Sequence, residues 1–406
     1  MFSKLQKLGP GLMFAGCSVG VSHIVQSTRA GALNAFDYVW IILLIHLVKY
    51  PFFEIATRYT ITTNENLIKG YARIGKHAIW MYFILSLCTM FIVQAAVTLV
   101  AGSLFANLLG LSVFHSSILL LLLSLLVLTI GRYNLIDNLM KIIIIILSIA
   151  TLIAVLLLFK NTHIPTAETP DIFSSSGIIF LIAFMGWMPT TVDLSVMQST
   201  WVKEKNDLQK TSLNDALFDF NFGYVLTAVL AIAFLSLGAL TMYNSGTQFS
   251  SSAIKFAQEF IGMYGQTIGT WATPIILIAA LATMISTTIA VMDGYSRTIS
   301  FSAIELNLIK THNQRKSYLV VGTFIAIISI CIISFFVSSL KELIDFATIV
   351  SFVIAPIFAY FNYKTTQLTH FTEKGILPNY LTYLSWFGIV FLSVFTGVFL
   401  YIKFLT

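Results

Sequence analysis

The sequence predicts an all-α integral membrane protein with eleven transmembrane helices. Of its 406 residues, 57% are hydrophobic and only 10% are charged, whereas soluble proteins carry about 25% charged residues. This composition excludes a soluble multidomain enzyme, a disordered chain and a nucleic-acid-binding protein. The net charge of +6 is small for this length and is typical of basic loops on the cytoplasmic side of a membrane.

Eleven segments are apolar enough to span a bilayer, which takes about 20 residues because unpaired backbone groups are costly in hydrocarbon. The predicted spans are 10–30, 38–57, 79–108, 114–131, 142–159, 176–200, 219–242, 267–295, 318–338, 343–362 and 380–402. No segment between them is long enough for a separate soluble domain. We therefore expect one transmembrane domain over residues 1–406.

Basic residues between the spans predict the orientation. Most of the 23 Lys and Arg residues lie in the amino-terminal segment and in alternate loops, which favours an amino terminus inside and a carboxyl terminus outside the cell membrane. Lys4 and Lys7 precede an apolar run as in a signal peptide, but no convincing cleavage site follows, which favours a retained helix. Arg29 is expected to be an interface anchor. Lys49 lies within the second span.

Two spans contain runs of small and polar residues at matching positions. The first span holds the run 16–23, and the sixth holds the run 186–193, which includes Pro189. Proline removes a backbone donor, so helical pairing should break just before it. Interrupted helices in corresponding positions of two halves indicate a transporter with inverted repeats. A packing kink is the alternative, because Gly and Pro also bend membrane helices.

The same segments resemble the NRAMP family of proton-coupled divalent-metal transporters. The runs Gly9-Pro10-Gly11, Ala30-Gly31-Ala32 and Met188-Pro189 are similar to family motifs in the first and sixth helices. The resemblance covers nearly the whole chain and implies a LeuT-type architecture of two inverted five-helix repeats plus one extra helix. The repeats would occupy about residues 1–160 and 172–363, and the extra helix about 380–402.

The metal-binding motif of that family is altered in this chain. Aligned without gaps between the flanking motifs, the family's metal-binding Asp falls on Gly20 and its Asn ligand on His23. The His of the sixth-helix motif becomes Thr190, and a Gln ligand of the tenth helix becomes Thr348. The resemblance therefore implies a divergent site in which the soft ligand Met188 survives.

These residues allow two interpretations of what the protein transports. His23, Met188 and Asp193 would suit a borderline or soft divalent metal ion, with His23 and Asp193 also able to carry protons. Alternatively, half-helix amino termini without the family's carboxylate would suit a small anion or an amino acid, with Arg29 as an electrostatic partner. The predicted substrate-binding residues are Gly20, Ser22, His23, Met188, Thr190, Thr191, Asp193 and Thr348.

Other function classes receive less support. The chain has no phosphate-binding loop, so neither ATP nor another cofactor is expected, and no enzymatic activity is predicted. A non-transporting receptor or scaffold would be expected to carry apolar residues at the two breaks, where this chain is polar. The sequence thus favours a secondary transporter with an ion or small solute as its cargo.

Overall fold

The computed structural model describes residues 9–130, 133–161, 169–243, 250 and 252–405. Within these ranges every regular element is a helix. Lys4 and Lys7 lie outside the described residues. The helices are α1 (Pro10–Ser18), a π-helix (Ser22–Ser27), α2 (Thr28–Asn34), α3 (Val39–Thr63), α4 (Leu67–Ile74), α5 (Lys76–Leu109), α6 (Val113–Ile130), α7 (Tyr133–Asn161), α8 (Ser175–Trp187), α9 (Leu194–Leu208), α10 (Leu213–Thr241), α11 (Ala253–Ile268), α12 (Thr273–Glu305), α13 (Gln314–Phe336), α14 (Leu340–Thr365), α15 (Thr369–Thr372) and α16 (Asn379–Leu405).

Each of the predicted spans falls on helical structure. In the described part of the chain, eight helices are long and apolar enough to cross a membrane, namely α3, α5, α6, α10, α12, α13, α14 and α16. The fifth span lies on α7, and the first and sixth are each divided between shorter helices. The total of eleven crossings, the orientation of the termini and the repeat boundaries stay predictions.

Two further helices were not predicted, because neither forms a continuous apolar run of spanning length. Helix α4 follows the second span and begins at an amino-terminal cap in which the Asn66 side chain accepts a hydrogen bond from the Lys69 amide. Helix α11 lies between α10 and α12. Both are amphipathic, as expected for helices that run beside the spans.

Both halves of the first span pack closely against the backbone of α10. A Cβ atom added to Gly11 would lie 2.0 Å from the backbone oxygen of Asp219, and one added to Gly31 would lie 2.0 Å from that of Leu235. Small residues allow membrane helices to approach through their backbones. This packing gives Gly11 and Gly31 of the first span a structural role, and it positions the break between them.

A carboxylate of α10 caps the amino terminus of α1. Asp219 Oδ1 accepts a hydrogen bond from the Gly9 amide and Oδ2 accepts one from the Gly11 amide, each at 2.9 Å. The first amides of a helix have no partner within it, and negative charge is favourable there. Asp219 is buried. This contact therefore joins the start of the first span to the seventh.

Candidate substrate site at two helix breaks

The first span is interrupted where the sequence predicted. Helix α1 ends at Ser18, and a π-helix begins at Ser22. Between them Val19 has φ −78° and ψ 66°, which is not helical. Gly20 packs against α12, because an added Cβ would lie 2.9 Å from Cγ2 of Thr287. The predicted break within residues 16–23 is confirmed.

The sixth span has a longer interruption. Helix α8 ends at Trp187 and α9 begins at Leu194, so the six residues from Met188 to Asp193 are not helical. The helix ends two residues before Pro189, as the missing amide of proline requires. The predicted break within residues 186–193 is also confirmed.

A small cavity lies between the two breaks, with α5 and α12 as its other walls. Its volume is about 40 Å³. The polar groups that line it are hydroxyls, from Ser18, Ser22, Thr190, Thr191, Thr287 and Tyr295. The apolar lining comes from Val21, Val93, Val97, Trp187, Leu194 and Val291. Two sulfur atoms, in Cys17 and Met197, complete the wall.

Of the predicted site residues, Ser22, Thr190 and Thr191 line the cavity directly. Asp193 lies behind the wall, where its Oδ2 accepts a hydrogen bond of 3.0 Å from the hydroxyl of Tyr295. Because Tyr295 itself faces the cavity, the carboxylate is one hydrogen bond away from it.

The His23 side chain points away from the cavity towards α10. Its Nε2 atom lies 2.9 Å from the carbonyl oxygen of Thr227, and its Nδ1 atom lies 2.7 Å from Oγ of Ser22 and 3.1 Å from the carbonyl oxygen of Ser18. Both ring nitrogens are therefore engaged. In this conformation His23 joins the first break to α10.

Met188 and Thr348 also lie outside the cavity lining. Met188 is fully buried and packs in the apolar cluster that α3, α8 and α14 share. The Thr348 hydroxyl donates to carbonyl oxygens of its own helix, and its backbone oxygen lies against Gly186. None of His23, Met188 and Asp193 is among the residues that line the cavity, and their roles as metal ligands stay predictions.

A lysine that was not assigned to the site lies at the second break. Lys49 of α3 is fully buried. Its ammonium donates hydrogen bonds to the carbonyl oxygens of Met185 at 2.7 Å, Gly186 at 2.9 Å and Thr190 at 2.9 Å. The signal in the sequence was a basic residue inside an apolar span, which marks a functional position by default.

Comparison with known proteins identifies the family. The family described as Nramp, natural resistance-associated macrophage protein-like, matches residues 11–402. The chain belongs to the Nramp family. It is also 37% identical to an uncharacterised protein of Pasteurella multocida, over 98% of this chain and 92% of that one. Members of the Nramp family are transporters, and the apolar helices make this one a multi-pass protein of the plasma membrane.

Solved structures share the fold of this Nramp-family chain. A manganese transporter of Eremococcus coleocola, bound to an aromatic bis-isothiourea compound, matches with a TM-score of 0.77 at 13% identity, covering 97% of this chain and 86% of that one. MhsT in complex with L-phenylalanine matches with a TM-score of 0.63, also at 13% identity, covering 97% and 98%. At this identity the likeness shows the fold alone.

One end of the Nramp-family site is closed by a charge pair around Arg29. Arg29 of α2 contacts Asp345 of α14, with Nη1 2.6 Å from Oδ1, and its guanidinium lies 4.5 Å from the ring centre of Phe180 in α8. The residue is only 9% exposed. The expectation that Arg29 is an interface anchor is therefore wrong, because it pairs with a carboxylate inside the protein.

The other end is closed by a network around Arg297. This α12 residue pairs with Glu204 of α9 and with Asp293 of its own helix. Asp293 also accepts hydrogen bonds from Trp201 of α9 at 3.1 Å and from Tyr318 of α13 at 2.6 Å. We name these two polar clusters the Arg29 end and the Arg297 end.

Proposed function

We propose that the protein is a secondary transporter that moves a divalent transition-metal ion by alternating access through the cavity between the two breaks. The single observation that carries this proposal is the meeting of two interrupted helices at one cavity, in a chain of the Nramp family. Unwound backbone and half-helix ends are where membrane transporters bind ions near the bilayer midplane.

The size of the cavity supports an ion as the cargo. One water molecule needs about 10–15 Å³ of such volume, so the cavity of about 40 Å³ holds an ion with a few water molecules. Pockets for small organic ligands are typically about 300–1,000 Å³. An amino acid would require the cavity to open by several times its present volume.

The donor atoms in the wall suit a soft or borderline ion. The Cys17 thiol and the Met197 thioether both line the cavity, and sulfur ligands favour late transition metals over Mg²⁺ or Ca²⁺. Asp193 supplies the nearest negative charge through Tyr295. In this proposal Asp193 is also the proton carrier, and His23 reaches the ion only after releasing Thr227.

Alternating access would use the two closures. Opening the Arg29 end requires α2 and α14 to separate at the Arg29–Asp345 pair. Opening the Arg297 end requires α9 and α12 to separate at the Arg297–Glu204 pair. Because both pairs are formed here, the conformation is closed at both ends.

The test is uptake into proteoliposomes containing the purified protein, with Mn²⁺, Zn²⁺, Co²⁺, Ni²⁺ and Mg²⁺ offered separately. The proposal predicts uptake of at least one transition-metal ion and about a tenfold loss with Asp193→Asn, since a mid-membrane cation needs a compensating charge. Asp207→Asn is the matched control, because Asp207 is exposed and pairs with neighbouring Lys203. Absence of uptake for every metal would overturn the proposal.

A second candidate cargo, a small non-metal solute with an anionic group, is favoured by one observation. The Lys49 ammonium lies at the second break, and the described residues that line the cavity include no carboxylate. The same fold binds L-phenylalanine in MhsT. In the same proteoliposomes, uptake of amino acids or small anions, together with no uptake of any metal ion, would favour this candidate.

A further inference from the structure

The carbonyl groups released by the second break form a small cage that is already filled. Helix α8 ends at Trp187, so the carbonyl oxygens of its last turn have no partner within the helix. Two of these, from Met185 and Gly186, point at the Lys49 ammonium together with the Thr190 oxygen from the break. The three distances lie between 2.7 and 2.9 Å.

Three features of this contact indicate a cation site. An ammonium has three N–H donors, and the three carbonyl oxygens use all of them. The site lies at the carboxyl end of a helix, where the partial negative charge of the backbone favours a cation. Unwound carbonyls and half-helix carboxyl ends are also the groups with which transporters coordinate free cations.

We propose that the Lys49 side chain is a tethered cation that occupies the carbonyl cage in place of a free monovalent ion. The Lys49 side chain then satisfies the carbonyl oxygens of the break in the sixth span through its three N–H groups. A transported ion must bind on the cavity side of this side chain, and no Na⁺ or K⁺ is needed to hold the break together. This inference goes beyond the proposed function and does not depend on the identity of the cargo.

The experiment removes the Lys49 side chain and then offers a free cation to the carbonyl cage. Lys49→Ala removes three carbon atoms and the ammonium, which n-propylammonium replaces. We expect Lys49→Ala to lower the melting temperature of the purified protein by roughly 5 °C or more. Millimolar n-propylammonium, or Na⁺, should restore at least half of this loss. Wild-type protein should show no response to either cation.

Two controls separate charge from volume and from surface effects. Neutral 1-propanol has a similar volume to n-propylammonium and should restore little, because it brings no charge to the carbonyl groups. Lys374→Ala removes an exposed lysine and should change neither the melting temperature nor its response to cations.

A second variant tests the proposal if Lys49→Ala does not fold. Lys49→Met keeps most of the side-chain volume without a donor, so Na⁺ rather than n-propylammonium should restore it, because the methionine leaves no space for an organic cation. The proposal is overturned if wild-type stability already depends on Na⁺ or K⁺, if 1-propanol restores Lys49→Ala as well as n-propylammonium does, or if no cation restores either variant. Because this readout is thermal stability, its failure is distinct from a failure of metal uptake.

Discussion

The two helix breaks lie across the same cavity, but their backbone groups are satisfied in different ways. At the first break the partners are neutral hydroxyls, since Ser22 Oγ donates to the Ser18 carbonyl oxygen at 2.7 Å and Thr287 Oγ1 of α12 donates to the Gly16 carbonyl oxygen at 3.0 Å. At the second break the partner is the amino group of a lysine from another helix, Lys49 of α3. Separate neutral groups therefore hold the first break, whereas a single lysine holds three carbonyl groups of the second.

This difference shows how far each break depends on the rest of the fold. At the first break each carbonyl group has its own hydroxyl partner, so the loss of one partner leaves the other in place. The break between α8 and α9 requires α3 in place, because neutral groups within its own segment do not supply the three donors that Lys49 provides. We expect the second break to be the more sensitive to substitution.

The largest effect is expected for Gly186→Ala beside the second break. An added Cβ would lie 2.1 Å from the backbone oxygen of Thr348, so α8 and α14 would have to separate. At the first break, the Cβ of Gly20→Ala meets a side chain rather than backbone, with Cγ2 of Thr287 at 2.9 Å and its Oγ1 at 3.2 Å. We expect losses of about 3 kcal/mol and about 1 kcal/mol respectively. Melting temperatures of the two purified variants measure this, and equal losses would contradict the comparison.

The next effect is expected for His23→Ala at the first break. It leaves the buried Thr227 carbonyl oxygen without its 2.9 Å partner, which should cost about 1–3 kcal/mol. Unlike Lys49→Ala, this variant should not respond to n-propylammonium or Na⁺, because no charge has been removed from a carbonyl cage. A cation-dependent recovery of His23→Ala would show that the two breaks are stabilised alike.

Much of this arrangement was predictable from the sequence. The polar runs and Pro189 located both breaks, and three of the proposed site residues, Ser22, Thr190 and Thr191, line the cavity. These positions follow from local chemistry, since a proline or a run of small residues interrupts a helix wherever the helix lies.

The remaining site residues could not be predicted because their partners come from other helices. The ligands of Lys49 are backbone carbonyl oxygens, which leave no mark in a sequence. In the sequence, Cys17 and Met197 cannot be distinguished from other residues of apolar helices. Only the packing of the helices places them at the cavity. Arg29 resembled an interface anchor because Asp345, which pairs with it, lies 316 positions further along the chain.

A smaller effect is expected at the Arg29 end of the cavity. Arg29→Ala removes the contact with Asp345, which should favour opening at that end by about 1 kcal/mol, or roughly a fivefold change in the open population. In a background of Cys88→Ser and Cys331→Ser, alkylation of Cys17 by a small water-soluble reagent measures this opening. We expect a roughly fivefold faster reaction, and an unchanged rate would mean that Arg29 does not close the cavity.

The smallest effect is expected outside both breaks, at the ion pair between Glu65, in the loop after α3, and Arg73 of α4. Hydrogen bonds from Arg73 lower the pKa of Glu65. A carboxylate with a lowered pKa stabilises the folded state above its unfolded pKa, and this contribution is lost as the pH falls through the folded pKa. Because Arg73 is largely exposed, we expect only about 0.5 kcal/mol.

Acid titration of the melting temperature, with Glu65→Gln as the comparison, measures the contribution of this pair. The variant should lose slightly less stability than the wild type as the pH falls through the acidic range. A wild-type loss as large as that of Gly186→Ala would contradict the view that the breaks dominate the stability of this region.

The most direct test of the central claim is protection of Cys17 by the cargo. In proteoliposomes of the Arg29→Ala variant with Cys88→Ser and Cys331→Ser, the alkylation rate of Cys17 is measured against the concentration of each solute that the protein takes up. If the cavity between the two breaks is the binding site, the transported solute slows alkylation at the concentrations that half-saturate uptake. If saturating cargo leaves the rate of Cys17 alkylation unchanged, the cargo binds elsewhere and the account is contradicted.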